Sequence, residues 1–344
     1  MQTIDLRSDT VSLPTPEMRR RMAEAELGDD VYGEDPTVNQ LQAETARLLG
    51  KEAGLFVPSG TMGNLVGILA HCTRGDEVIL GNKSHTFLYE AGGISVLGGV
   101  HSCQIPNQPD GTLLLEEIEA AIRPPDPHHP ITRLISIENT HNRCGGVALS
   151  REYTQQVGEL ARQHDLKLHL DGARLFNAAV ACGVPAAKLA APADSVTICL
   201  SKGLCAPVGS VLCGSQEYIH RAHRLRKILG GGMRQAGVLA AAGLVALDQM
   251  TNRLAEDHRR AARLADGLSQ IPGVQFDPAK PPTNMVFLDL EVPITLTAVQ
   301  VAELLKARGI QVGVVGPRRF RLVTHYWIDD AAIEQVISAF TEIL

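Results

Sequence analysis

The chain has 344 residues, of which 44% are hydrophobic and 20% charged, and its formal net charge is −6 at pH 7. This size and composition indicate a globular protein with a substantial core and argue against intrinsic disorder. The acidic balance argues against a nucleic-acid binder, apart from one basic stretch at 220–234. The seven cysteines lack C-x-x-C spacing, and the N-terminus lacks a signal-peptide pattern. We therefore expect a cytoplasmic protein without metal, disulfide scaffold or membrane span.

Residues 1–50 predict an extended arm followed by a helix that ends at Gly50. From residue 51 onward, short apolar runs alternate with segments of helical periodicity. The runs predict buried strands at 54–57, 77–80, 134–137, 167–170, 195–200 and 210–213. Helices are predicted between them, at 115–122 and 153–164 among others. This alternation indicates an α/β fold with a mainly parallel sheet.

The C-terminal part has a different pattern. The apolar run 236–247 predicts a buried helix, and 252–271 predicts a long amphipathic one. Two strands and two helices are then predicted, at 284–290, 299–308, 320–324 and 331–344. We expect three parts: an N-terminal arm and helix (1–50), a large domain (51–248) and a small α+β domain (249–344), with a linker near 248–253. The proline-rich stretch 124–130 predicts a surface loop, although its paired histidines leave metal binding as an alternative.

A first candidate site segment lies at 59–64, directly after the predicted strand 54–57. Ser59, Gly60 and Thr61 stand between a strand and a helix start. The free N–H groups at a helix N-terminus, with a glycine that allows close approach, form a cradle for an anion such as phosphate. A plain capped helix is the alternative.

Two further segments place charged residues at the ends of apolar strands. Asp171 follows the strand 167–170, where ligands bind in open parallel sheets, and Arg174 stands three residues later. A simple salt bridge between these two residues is the alternative. Lys202 follows the strand 195–200, and a lysine in such a place is suited to act as an amine nucleophile. A lysine that points to solvent is the alternative there.

Taken together, the three segments are the parts that a pyridoxal-phosphate site needs: a phosphate cradle, an acid for the ring nitrogen and an imine-forming lysine. Other cofactor and nucleophile signatures, among them the P-loop and the dinucleotide-binding glycine motif, are absent from the sequence.

Eight motifs in order give the chain its resemblance to a known family. It resembles the low-specificity L-threonine aldolases in LRSDT, DDVYGEDP, PSGTMGN, ENTHN, HLDGAR, LSKGL, GGGMRQAG and RLVTH, which span residues 6–325. The resemblance implies the aspartate-aminotransferase fold, in which a mainly parallel seven-stranded sheet flanked by helices is joined to a smaller α+β domain. It also implies pyridoxal 5'-phosphate as the cofactor and a homotetramer built from two catalytic dimers.

The resemblance also implies a role for each matching residue. Lys202 would hold the cofactor as a Schiff base, Asp171 would pair with the ring nitrogen, and His85 would stack on the ring. The phosphate would be held by Ser59, Gly60 and Thr61, and by Lys227 and Arg234 of a neighbouring subunit. The substrate carboxylate would be bound by Ser8, Arg174 and Arg321, and Tyr32 would lie near the substrate. The base that takes the β-hydroxyl proton is left open between His85, His141 and a water.

The resulting hypothesis is cleavage of L-threonine, L-allo-threonine and related β-hydroxy amino acids to glycine and an aldehyde. The alternative is a β-eliminating lyase or an amino-acid racemase on the same fold; a non-catalytic binding protein is disfavoured because lysine, acid and cradle are all present. One departure is Arg143-Cys144-Gly145-Gly146 after ENTHN, where other members differ. Stereochemical preference and the range of aldehydes are therefore left open.

Overall fold

The computed structural model describes residues 3–344, whose strands form two sheets. The strands are Ile4–Leu6 (β1), Ala53–Val57 (β2), Asp76–Gly81 (β3), His101–Ile105 (β4), Ile131–Glu138 (β5), Lys167–Asp171 (β6), Ser195–Cys199 (β7), Ser210–Gly214 (β8), Val274–Phe276 (β9), Met285–Leu290 (β10), Ile310–Val314 (β11) and Arg319–Val323 (β12).

The α-helices alternate with these strands through most of the chain. They are Pro16–Ala23 (α1), Pro36–Leu49 (α2), Gly60–Leu69 (α3), His85–Leu88 (α4), Gly93–Val96 (α5), Leu115–Ala121 (α6), Arg151–Gln163 (α7), Leu175–Cys182 (α8), Ala186–Ala190 (α9), Gln216–Ile228 (α10), Gly237–Val245 (α11), Leu254–Leu268 (α12), Ala298–Ala307 (α13) and Asp330–Ile343 (α14).

The large sheet has seven strands in the order β2-β8-β7-β6-β5-β3-β4. Only β8 runs against the others. The mainly parallel seven-stranded sheet is therefore confirmed, as are the six strands predicted from apolar runs. Strand β4 was not predicted because it lies at the edge, half-exposed, and its polar residues interrupt the apolar pattern: His101, Ser102 and Gln104.

The small sheet has the order β1-β11-β12-β10-β9. Its first strand comes from the N-terminal arm, because β1 pairs in parallel with β11. Leu6 is fully buried in the core of this sheet, beside apolar residues of α12, α13 and α14. The predicted extended arm is thus partly a strand of the C-terminal unit. The division at residues 50 and 248 stays a prediction.

The N-terminal helices pack on the large unit. Asp35 caps α2 by accepting a hydrogen bond from the Val38 N–H at 3.0 Å, and Gly50 ends the helix in a left-handed conformation with φ 64°.

The apolar run 236–247 forms α11, confirming the predicted buried helix. At the predicted linker, 248–253, the chain is helical: a π-helical turn (Ala246–Met250) and a 3-10 turn (Thr251–Arg253) join α11 to α12. Accordingly α12 begins at Leu254 rather than at residue 252.

The stretch 124–130 is an exposed loop, in which the His128 ring lies 2.7 Å from Asp126 Oδ1. All seven cysteines are free of disulfides. Within the described part of the chain, every helix falls short of the length and apolar character that a bilayer crossing demands.

Candidate active site

A cavity of ≈ 330 Å³ lies between the carboxyl ends of the large sheet and the small sheet. The N-terminal arm, the large unit and the C-terminal unit all contribute to its lining: Ser8, Thr10, His85, Tyr89, Asn142, Arg143, Arg174, Lys202, Phe287, Val315 and Arg321. Five of the residues predicted for the site therefore line the same cavity: Lys202, His85, Arg174, Ser8 and Arg321. Parallel strands explain this convergence, because their carboxyl ends meet at one edge of the sheet.

The predicted phosphate cradle is the N-terminus of α3. Ser59 caps the helix by accepting a hydrogen bond from the Met62 N–H at 3.2 Å. The preceding N–H groups, of Gly60 and Thr61, belong to the first turn, where a helix has no partner for them. A Cβ at residue 60 would lie 2.6 Å from the Cys199 sulfur at the end of β7, so only glycine lets α3 approach this strand so closely. The first turn of α3 thus has N–H groups available to an anion, and it lies close to β7, the strand that precedes Lys202.

Asp171 ends β6 with 2% of its surface exposed. Its Oδ2 accepts a hydrogen bond from the Asn64 side-chain amide at 2.8 Å, and its Oδ1 accepts one from the Ala173 N–H at 3.1 Å. The alternative of an Asp171–Arg174 salt bridge was wrong, because Arg174 pairs with another acid. Asp171 is left as a buried carboxylate beside the cavity, as the partner of a ring nitrogen needs to be.

The partner of Arg174 is Asp9, a residue to which the sequence analysis assigned no role. Arg174 donates from Nε and Nη2 to the two oxygens of Asp9, at 2.7 and 2.6 Å. Burial opposes the charge of Asp9, but Arg174, Lys202 and Arg321 together hold the pKa of its carboxyl far below the usual range. Burial would likewise lower the pKa of Arg174, and Asp9 reverses the effect and raises it. The pair therefore stays charged in the interior.

Lys202 follows β7 and lines the cavity. Its backbone is held from the N-terminal arm, because the Ser12 hydroxyl lies 2.8 Å from the Lys202 carbonyl and 2.7 Å from the Asp9 carbonyl and shares its one proton between them. The arm thus fixes both the lysine loop and the counter-ion of Arg174. The sequence alone could not show this link between residues so far apart in the chain.

His85 begins α4 and joins the cavity to a second buried acid. Its Nδ1 lies 2.8 Å from Oε1 of Glu90, and its backbone N–H donates to Glu138 at 2.7 Å. The hydrogen bond with Glu90 raises the pKa of His85 against the opposing effect of burial. Burial raises the pKa of Glu90 in turn, with Asp171 acting in the same direction.

His85, Glu90 and Asp171 each offer one possible metal-ligand atom, and these three atoms lie within 4.8 Å of one another, a spacing that could hold a metal ion. The expectation from the sequence was that the protein has no metal site. In the structure, the carboxylates of Glu90 and Asp171 each accept a hydrogen bond from the Asn64 amide, and Glu90 accepts another from His85.

Arg321 reaches the cavity from β12 of the small sheet. Its Nη1 donates to the Asn142 side chain at 2.9 Å and its Nη2 to the Arg7 carbonyl at 3.2 Å. Its buried Nε has no hydrogen-bond partner among residues 3–344. Burial and the nearby Arg174 lower the pKa of Arg321, so the guanidinium lies in a place that favours a bound anion.

Besides Asp171 and the cradle residues 59–61, four predicted residues lie outside the cavity lining. His141 is 1% exposed, and both of its ring nitrogens lack a partner within the described residues. Tyr32 is 74% exposed, Lys227 is exposed on α10, and Arg234 donates to Asp29 at 3.0 Å. Their proposed roles stay predictions, as do those of the residues inside the cavity.

The comparison with known proteins shows a family. Residues 5–291 match the model of the family described as beta-eliminating lyase. The chain is 52% identical to low-specificity L-threonine aldolase 1 of Arabidopsis thaliana, over 99% of this chain and 96% of that protein.

Solved structures show the same fold at low sequence identity. Threonine aldolase of Leishmania major superposes with a TM-score of 0.84 at 22% identity, over 99% of each chain. A structure described as SPT with a PLP internal aldimine superposes with a TM-score of 0.77 at 20% identity, over 99% of this chain and 87% of the other. The fold is therefore that of the pyridoxal-phosphate enzymes of fold type I, and the chain belongs to the low-specificity L-threonine aldolases within the beta-eliminating lyase family.

Proposed function

We propose that the protein is a carbon–carbon lyase that uses pyridoxal phosphate to cleave L-threonine, L-allo-threonine and related β-hydroxy amino acids to glycine and an aldehyde. The observation that carries the proposal is the shared cavity, in which Lys202 and His85 face two arginines, Arg174 and Arg321, with Asp171 buried behind them. An amine, a carboxylate-binding pair and a ring-nitrogen partner are together what an amino-acid substrate and this cofactor require.

The residues present fit the cofactor. Lys202 would hold its carbonyl carbon, the Asp171 carboxylate its ring nitrogen, and the first turn of α3 at Ser59, Gly60 and Thr61 its phosphate. His85 would lie against the ring. When bound, pyridoxal phosphate withdraws the electron pair left on the substrate α-carbon as a bond to that carbon breaks.

The two arginines and Ser8 would orient the substrate. Arg174 has committed Nε and Nη2 to Asp9 and so has Nη1 left for the substrate carboxylate, and Arg321 would bind it with the guanidinium hydrogens that Asn142 and Arg7 do not accept. Ser8 accepts hydrogen bonds from the Thr10 N–H and hydroxyl at 3.2 and 2.9 Å, and its own hydroxyl donates to Asp9 Oδ1 over a long 3.5 Å, a contact that it would exchange for the substrate carboxylate. A carboxylate held from two sides would fix the orientation of the substrate's α-carbon bonds, and this orientation would decide which of them is cleaved.

His85 is the candidate base that the cavity favours. Its Nδ1 is engaged by Glu90, so Nε2 is the nitrogen that can take the β-hydroxyl proton. His141 lies buried outside the lining, and a water is the third candidate. Full activity in both His85→Ala and His141→Ala would assign the role to water.

The assembly is also part of the proposal. Lys227 and Arg234 are both exposed, so they are accessible to a second copy of the chain, whose cofactor phosphate they would reach. We propose a homotetramer of two catalytic dimers, located in the cytoplasm and acting in threonine breakdown and glycine formation. Tyr32, 74% exposed, would contribute to the substrate site of the neighbouring copy.

The test is to incubate the purified protein with pyridoxal phosphate and L-threonine or L-allo-threonine. Glycine and acetaldehyde in equal amounts are expected. Ammonia and 2-oxobutanoate would instead show β-elimination, and a change of stereochemistry without cleavage would show racemisation. The ratio of the rates with the two substrates gives the stereochemical preference.

Replacing the lysine tests the covalent attachment. Lys202→Ala is expected to lose the visible absorbance of the bound cofactor and nearly all cleavage activity, because its methyl group cannot bond to the cofactor carbonyl. Absorbance and turnover are measured beside Lys167→Ala, a strand-start lysine that pairs with Asp194 at 3.1 Å, well away from the cavity. Unchanged absorbance in Lys202→Ala would contradict the assignment.

A further inference from the structure

Behind the cavity, Asn64 touches both buried acids of the site. Its side-chain nitrogen lies 2.8 Å from Oδ2 of Asp171 and 2.9 Å from Oε1 of Glu90. Asn64 is 3% exposed and lies on α3, one turn beyond the predicted phosphate cradle. One amide group thus contacts the acid beside the cofactor ring and the acid that binds His85.

The orientation of this amide follows from its neighbours. Turned the other way, the amide oxygen would face two carboxylate groups in a buried place, where repulsion is strong. The nitrogen therefore donates one hydrogen to each acid. The amide oxygen lies 3.3 Å from Nε2 of His169, which donates to it.

The hydrogen bonds continue away from the cavity and fix His169. Its Nδ1 lies 2.8 Å from the Ser195 hydroxyl, which in turn lies 2.8 Å from Nε2 of His71. Burial lowers the pKa of His169 to about 4, so the ring is neutral and holds one proton, on Nε2. A Cβ at Gly67 would lie 2.6 Å from this ring, so the glycine is needed for α3 to pack against it.

We propose that Asn64 is a positioning residue that holds Asp171 and Glu90 as two separate hydrogen-bond acceptors, so that Asp171 faces the cofactor ring nitrogen while Glu90 orients His85. The inference rests on the proposed function, since it deepens the same site. Without the shared donor, two adjacent buried carboxyl groups would share a proton or rotate, because like charges in a buried place disfavour double ionisation. Asn64 acts through its neighbours and contacts no reacting atom itself.

The experiment uses the binding of two forms of the cofactor. Pyridoxal phosphate carries the ring nitrogen that Asp171 serves, and its 1-deaza analogue has a carbon there. Dissociation constants of both are measured by titrating the apoprotein of the wild type, Asn64→Asp and Asn64→Ala. Asn64→Asp keeps the shape of the side chain and the acceptor for His169 but presents no donor to the acids. The matched control is Asn284→Ala, which removes another fully buried amide, one that donates to the Thr324 carbonyl at 3.0 Å and is not part of the cavity lining.

The wild type and Asn284→Ala are expected to prefer pyridoxal phosphate over the analogue. In both Asn64 variants this preference is expected to fall by about tenfold or more, as for loss of a hydrogen bond to a charged group, while the affinity for the analogue changes little. An equal loss of affinity for both compounds would show a merely structural role and overturn the proposal, as would an unchanged preference or failure of both variants to fold. A wild type that binds neither compound would instead contradict the proposed function, so the two failures are distinguishable.

Discussion

Two buried arginine–aspartate pairs use similar chemistry in different surroundings. Arg174, which pairs with Asp9, lines the cavity, whereas Arg226 of α10 pairs with Asp30, with its Nη2 2.8 Å from Asp30 Oδ2. Each pair joins the N-terminal fifty residues to the large unit, and in each pair both side chains are less than a tenth exposed.

The two pairs differ in the charged and polar groups that surround them. Arg174 shares its acid with two further cations, Lys202 and Arg321, and the net effect of Asp9 is to raise the pKa of Arg174. Arg226 donates its other Nη to the Phe56 carbonyl at 2.7 Å, and burial lowers its pKa despite Asp30. Both pairs connect the N-terminal residues to the large unit, but only Arg174 lines the cavity, where the hydrogens that Asp9 does not accept can bind a ligand. The following predictions test this difference, from the largest expected effect on catalysis to the smallest.

Asp9→Asn is expected to reduce kcat/KM by about 100-fold or more, because Arg174 loses its bidentate partner and a small misplacement at a reacting centre has an effect of this size. It should also lower the free energy of unfolding by about 3–5 kcal/mol, as for a buried pair that loses one member. Steady-state kinetics and denaturant unfolding measure the two effects. Wild-type kcat/KM in this variant would show that Arg174 needs no partner to function.

Arg321→Ala is expected to raise KM for threonine by about 10- to 100-fold, because a charge-assisted hydrogen bond contributes about 1.5–3 kcal/mol. The matched control is Arg319→Ala, two residues earlier on the same strand, where the side chain pairs with Asp277 at 3.0 Å. Kinetics with both variants at saturating cofactor give the comparison. If KM is normal in Arg321→Ala, another group binds the carboxylate.

Glu90→Gln is expected to move the acid limb of kcat/KM to lower pH. Glu90 raises the pKa of His85, so a base at His85 is increasingly protonated, and inactive, as the pH falls through that raised value. Removing the charge lowers the pKa and keeps the base neutral at lower pH. The measurement is kcat/KM against pH for both proteins. A limb that stays in place would argue for His141 or water as the base.

Asp30→Asn is expected to change kcat and KM by less than about threefold at saturating cofactor while lowering the free energy of unfolding by about 3–5 kcal/mol. The reason is that Arg226 and Asp30 lie outside the cavity lining. The measurement is kinetics below the unfolding transition, beside the same assay on Asp9→Asn. A loss of activity as large as that of Asp9→Asn would remove the distinction between the two pairs.

Much of the site was predictable because it follows strands. Asp171 and Lys202 each come directly after an apolar run, and a parallel sheet brings such ends together. Asp9, Asn64 and Glu90 were not assigned roles, although Asp9 and Asn64 lie within the family motifs, because their importance depends on partners far away in the chain. The bond from Arg174 to Asp9 joins residues 165 positions apart, and the one from Asn64 to Asp171 joins residues 107 apart.

The sequence by itself determined the alternation of strands and helices, the strand-end lysine and acid, and the family to which the motifs belong. These are local properties, set by periodicity and by residues adjacent in the chain. The tertiary structure decided which acid Arg174 pairs with, that β1 joins the small sheet, and that one amide serves two carboxylates. Such choices depend on which buried polar groups meet after packing, because in the interior each must find a partner wherever the fold places one.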